Sequence, residues 1–183
     1  MWFFVLQERM CCKIEKRNLY DKYRNLTGEY IYANEKIPKE KYILVVIIFI
    51  QNSKGQFLIQ KRSKSKGGKW ATTGGHPKMG EDSITGICTE VNEEIGINIT
   101  PYKNEIHLFK TVQGENTFCD LYYLKKDIDI SKIHLQTEEV DNIKWFTQNE
   151  IKKLIKDNKF HNHHALMYND CIQFLSNQEE KVM

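Results

Sequence analysis

The run KYILVVIIFI at positions 41–50 carries eight consecutive apolar residues, Ile43 to Ile50, most of them β-branched. An unbroken run of that kind reads as a central strand covered on both faces, because a half-exposed strand would alternate apolar with polar residues. The next residues, QNSKGQ, supply turn chemistry, and QFLIQKR resumes an alternating pattern, so the two runs read as a hairpin with Arg62 leaving its end. Further strand-like runs follow at EIHLFKTV, FCDLYYLK and NIKWF, separated by QGENT and by a polar stretch from Lys126 to Asp141. Thr147 and Glu150 have the spacing of a capping box, which starts a helix there, and a last amphipathic helix is expected over roughly 162–176. Strands and helices that alternate irregularly favour a mixed-sheet α/β sandwich over a doubly wound parallel fold.

The chain has 183 residues, of which 40% are apolar and 28% charged, and no low-complexity linker divides it. That suits one domain large enough to bury a core without structural disulfides or metals. The division expected is an N-terminal extension over 1–17, the domain over 18–177 and a short tail over 178–183. A net charge of +3 is too small to point to nucleic acid, although Lys61, Arg62, Lys64, Lys66 and Lys69 concentrate positive charge in one loop. Cys11, Cys12, Cys88, Cys119 and Cys171 form no CxxC pair, which fits a reducing cytoplasm. The opening MWFFVLQERM is apolar over too few residues for a signal peptide or a membrane span. It reads as a packing or dimer-forming extension, or as the product of a start placed upstream of Met10.

The stretch GGHPKMGEDSITGICTEVNEEIG, 74–96, raises a charge problem. Asp82 or Ser83 can cap a helix of about 82–95 that Gly96 stops. On that helix Ile84, Ile87, Cys88, Val91 and Ile95 fall within an arc of roughly 100°, and Glu90, Glu93 and Glu94 within a similar arc on the far side. Carboxylates at i, i+3 and i+4 repel by a few tenths of a kcal/mol per pair, and no basic residue is interleaved. A divalent cation reverses that sign: Mg²⁺ or Mn²⁺ takes hard oxygen ligands together with substrate phosphates. A solvated acidic face is the competing reading.

The same stretch resembles the Nudix signature, Gly-x5-Glu-x7-Arg-Glu-apolar-x-Glu-Glu-x-Gly-apolar. It is matched by Gly75, Glu81, Glu90, Val91, Glu93, Glu94, Gly96 and Ile97, and the preceding FLIQKRSKSKGGKWATTGG resembles the strand and loop that enter this box. The resemblance covers about residues 18 to 157 and is to a MutT-like Nudix hydrolase near the isopentenyl-diphosphate-isomerase-like branch. It implies a Nudix α/β/α sandwich with a mixed β-sheet, and Mg²⁺ or Mn²⁺ held by Glu90, Glu93, Glu94 and the Gly75 carbonyl. It also implies that Glu81 braces the loop–helix–loop. Thr89 stands where the family has the arginine of that brace, so reduced activity is expected.

The implied reaction is metal-dependent attack of water on a nucleoside diphosphate linked to another group, with a small nucleotide or other diphosphate as partner and a homodimer plausible. Glu93 is the first candidate for the base; Glu139 or Glu138 in the TEEVDN loop is next, and Glu115 is weaker. Arg62 and Lys69 are candidates to hold phosphate, since a guanidinium recognises it bidentately, and His76 lies at the site mouth. Two alternatives stand beside this. GHPKMGE and LYDKYRNLTGE also resemble isopentenyl-diphosphate isomerases, but those need a cysteine where this chain has Gly74; the other alternative is a Nudix-fold binding module without turnover. His161, His163 and His164 read as an exposed helix start rather than a metal site, Trp70 and Trp145 as packing residues, and Cys88 as core.

Overall fold

A computed structural model describes residues 14–180. Cys11, Cys12 and the apolar opening lie outside the described residues. Strands β1 (Lys16–Tyr20) and β2 (Leu26–Tyr32) form an antiparallel pair. Five further strands make the path of the main sheet: β3 (Ile43–Gln51), β4 (Phe57–Arg62), β5 (Trp70–Ala71), β7 (His107–Gln113) and β8 (Thr117–Lys125), in the order β5-β4-β3-β8-β7. The short β6 (Thr73–Gly75) pairs with β3, and β9 (Val140–Phe146) with β4. Helix α1 (Ser83–Ile95) covers one face of the sheet, while α2 (Gln148–Lys156) and α3 (Asn162–Glu180) cover the other.

The apolar run becomes the centre, as expected. Leu44, Val46, Ile48 and Ile50 enter the core beneath α1, whereas Ile47 and Phe49 enter the core beneath α2 and α3. One strand thus seeds two cores, because its side chains alternate between two covered faces. The pairing of β3 with β8 is parallel and in register from Ile43↔Thr117 to Gln51↔Lys125, so the sheet is mixed.

The hairpin expected between β3 and β4 is present only at its turn. Gln51 pairs with Phe57, and then β3 takes β8 and β6 as neighbours while β4 takes β9 and β5. The Asn52 side chain closes the turn by accepting from the backbone N–H groups of Lys54 and Gln56 at 3.0 and 2.9 Å. The two strands splay from that point and open room for the Gly74–Gly75 segment.

Both helix starts follow their local chemistry. Asp82 caps α1 by accepting from Thr85 N–H at 2.8 Å, and Gly96 ends it in the left-handed region. Thr147 and Glu150 close the capping box of α2 reciprocally. At the start of α3 one expectation is overturned: His164 is buried, with its Nδ1 2.8 Å from Thr72 Oγ1. Helical periodicity turns position 164 inward against Thr72, just past β5, and burial pushes its pKa down to about 3, so the ring is neutral. Trp70 packs edge-on against Phe146, Trp145 packs on the α1-side core, and Cys88 is core, as expected.

Candidate functional site

The site is assembled where β6 meets α1. Gly74 and Gly75 pair with Ile47 and Val46 of β3, and the chain then turns through His76 and Pro77 over the glutamate face of the helix. The His76 N–H donates to Glu90 Oε1 at 2.9 Å. A Cβ placed on Gly75 would stand 2.4 Å from the Glu90 carboxyl, so only glycine lets backbone and carboxylate meet here. The Gly75–His76 segment and the Glu90 carboxylate are therefore neighbours, with the His76 N–H as the group that faces the carboxylate.

Glu94 lies deeper along the same face. Gln60, pointing inward from β4, donates through Nε2 to Glu94 Oε2 at 2.9 Å, and the Gly74 N–H donates as well. Thr73 Oγ1 in turn donates to Gln60 Oε1 at 3.0 Å. Burial, then the charge of Glu94, pushes Glu90 up to about 8; burial also pushes Glu94 up to about 6. Among the described residues neither carboxylate makes an ion pair. Two half-buried carboxylates that hinder each other's ionisation, without a cation bonded to either, have the chemistry of a hard-cation site.

Glu93 points out instead and is paired with Lys78. Among the described residues no three acidic, His or Cys side chains converge as a ready-made metal cage. A cation held by all three glutamates would require Glu93 to leave Lys78. Thr89 and Glu81 explain how the helix manages without the box arginine: Thr89 Oγ1 donates to Glu81 Oε1 at 2.7 Å, and the Lys78 N–H donates to Glu81 Oε2 at 2.8 Å. Both oxygens of the brace are satisfied by a short hydroxyl and a backbone amide.

The other expected residues divide. Arg62 acts electrostatically on Glu94, with its Nε bonded to the Lys66 carbonyl at 3.1 Å. Glu139 also acts on Glu94 and is held by Lys66 at 2.8 Å, so the downstream loop does reach the box. His76 is half-buried and neutral, pushed down to about 4 by burial and by Arg17. Lys69, by contrast, is turned to Asn158 at 2.7 Å. Glu138 is exposed, and Glu115 is exposed in the β7–β8 turn. Gln60, Lys78 and Arg17 were missed; the one sequence signal was Gln60, a polar residue at an inward position of an apolar strand.

Fold and site together define the Nudix class of α/β/α sandwiches. The NUDIX domain family model matches residues 41–170. An uncharacterized Nudix hydrolase of Listeria monocytogenes is 34% identical over 156 residues, covering 80% of this chain and 88% of its own length. The isopentenyl-diphosphate Delta-isomerase of Aliivibrio fischeri is 28% identical over 151 residues, covering 73% and 83%. The crystal structure of DR0079 from Deinococcus radiodurans matches with a TM-score of 0.70 at 20% identity, over 86% of this chain and 99% of that one. The chain belongs to the Nudix family, and its enzyme class is that of the Nudix hydrolases, which generally use divalent metal ions. Among the described residues no helix is long and apolar enough to cross a membrane.

Proposed function

We propose that this enzyme hydrolyses the diphosphate linkage of a nucleoside diphosphate derivative, with Mg²⁺ or Mn²⁺ held by Glu90, Glu93, Glu94 and the Gly75 carbonyl. The observation that carries the reading is the pair Glu90 and Glu94, half-buried, uncompensated, and pressed against a glycine turn. A divalent ion, when bound, supplies charge neutralisation at the phosphoryl oxygens and acidifies water.

The chain's own residues do the rest. Gln60 and the Gly74 N–H fix the Glu94 carboxylate, and the His76 N–H fixes that of Glu90, so neither has to reorganise during the reaction. Arg62, the last residue of β4, is assigned the outer phosphate, which its guanidinium would hold through the two terminal nitrogens. Proton removal falls to Glu93 or Glu139. Glu93 must first leave Lys78, whereas Glu139, held by Lys66, is close enough for its charge to act on Glu94. The buried free cysteines Cys88, Cys119 and Cys171 support a cytoplasmic location, and a homodimer belongs to the same reading.

The isomerase alternative is disfavoured at Gly74. A Cβ there would stand 2.3 Å from the Val46 carbonyl oxygen, so a cysteine would force β6 away from β3. The test is release of nucleotide and phosphate from ADP-ribose, dinucleoside polyphosphates and nucleoside triphosphates with Mg²⁺, run beside Glu93→Gln and Glu139→Gln. Metal-dependent release that Glu93→Gln lowers about 100-fold or more supports the reading. Ligand binding without turnover by the wild type would replace it with the binding module.

A further inference from the structure

The structure assigns a phosphate-binding residue that lies outside the box: we propose that Arg17, carried by β1, grips the diphosphate of the substrate opposite Glu90. The inference rests on the hydrolase reading above and deepens it.

Strand β1 is stitched to the glycine turn, since Met79 N–H donates to the Lys16 carbonyl at 2.7 Å. Arg17 therefore sits beside the turn that covers the box helix. Its partner across the β1–β2 pair is Ile31, which is buried, so the two side chains share a covered face. Its Nε is buried, and no acceptor bonds it among the described residues. A guanidinium is all donor, and leaving one of its N–H groups dry and unbonded is costly. The acidic groups whose charge acts on it are Glu15 and Glu90, and its own charge acts on the His76 ring.

Helix α1 contributes no basic residue of its own, and Thr89 fills the place of the family's arginine. Arg17 therefore brings a guanidinium to the box carboxylates from a different element. Beside a divalent cation at Glu90 that guanidinium would be repelled unless an anion lay between them. A diphosphate is such an anion, with acceptor oxygens for both cations and the geometry for a bidentate fork.

The experiment titrates inorganic pyrophosphate with Mg²⁺, and separately Mn²⁺ alone, into the full chain and its Arg17→Gln and Arg17→Lys variants. Melting temperatures are recorded for each. Arg17→Gln is expected to weaken pyrophosphate binding about 10- to 100-fold, to leave Mn²⁺ binding equal or tighter, and to keep the melting temperature. Arg17→Lys is expected to recover part of the loss, because an ammonium keeps the charge without the fork. Unchanged pyrophosphate binding in Arg17→Gln overturns the assignment while the hydrolase reading stands. Parallel loss of Mn²⁺, pyrophosphate and melting temperature in both variants also overturns it, since Arg17 would then be a structural counter-ion. A wild type that binds no pyrophosphate with Mg²⁺ removes the hydrolase reading and this inference with it.

Discussion

The two ends of helix α1 each press acidic groups into the protein, and they treat them in opposite ways. At the N-terminal end Asp120, fully buried on β8, accepts from both terminal nitrogens of Arg24, from Thr111 at 2.6 Å and from Ser83, whose hydroxyl also receives the Tyr122 O–H at 2.7 Å. Arg24 reaches it from the β1–β2 turn, held at a φ of 67° that few non-glycine residues adopt. Toward the C-terminal end Glu90 and Glu94 receive backbone and amide donors but no ion pair among the described residues. The first arrangement carries its counter-charge in the fold; the second carries none among the described residues, and the cation proposed above would supply it. Burial alone therefore does not separate a structural carboxylate from a functional one; the inventory of partners does.

Experiments can press on that contrast from both ends. The largest effect is expected at Glu90, where Glu90→Gln should lower turnover about 100- to 1000-fold without lowering the melting temperature, because it removes a charge the fold does not neutralise. Activity and melting assays on one preparation check this, and a clear loss of stability would place Glu90 with Asp120. Asp120→Asn should do the reverse. It should cost about 2 to 3 kcal/mol of stability in urea titrations, reduced from the figure for a wholly buried pair by the partial exposure of Arg24, with turnover per folded molecule changed far less.

The third prediction concerns pH. Glu90 near 8 and Glu94 near 6 both lie above the ordinary 4.5. The folded, metal-free protein therefore holds more protons than the unfolded chain between those values, and its stability falls as pH rises from about 4.5 to about 8. Melting in chelator at about pH 5 and about pH 8 measures the slope, which added Mg²⁺ should flatten; a rise in stability over that window would contradict the placement of these side chains. The smallest effect is expected at Thr89. Thr89→Val removes one hydrogen bond to Glu81 and should cost about 1 kcal/mol, with turnover falling less than about 10-fold. A larger loss would show that the hydroxyl carries more of the brace than the Lys78 amide.

Much of this was legible beforehand because local rules agreed with one another. The apolar run, the capped helix and the Thr147–Glu150 box each named an element that exists, and the glutamate spacing located the carboxylates. The spacing also contained a finer distinction, which placing all three glutamates opposite the core passes over. On the helical wheel Glu94 stands roughly 20° from Ile87 while Glu93 stands farthest from the apolar arc, which anticipates that one is half-buried and the other exposed. Relations between distant elements were not legible. Nothing in KRNLY shows that its arginine comes within reach of the charge of Glu90, because that depends on where β1 docks, and the splaying of β3 from β4 depends on competition from β8. The burial of His164 likewise depends on where α3 docks against the β5–β6 connection at Thr72.

The run of bonds from Thr73 through Gln60 to Glu94 has a direction. While Glu94 is ionised it can only accept, so the Gln60 amide must present its nitrogen, and its oxygen is left to receive the Thr73 hydroxyl. A proton on Glu94 gives that carboxyl a donor of its own and frees the amide to turn over. The orientation seen is the one an ionised Glu94 requires, so the side-chain amide resonances of Gln60 are where a proton on this carboxylate, or the proposed cation that would compete with it, should be sought.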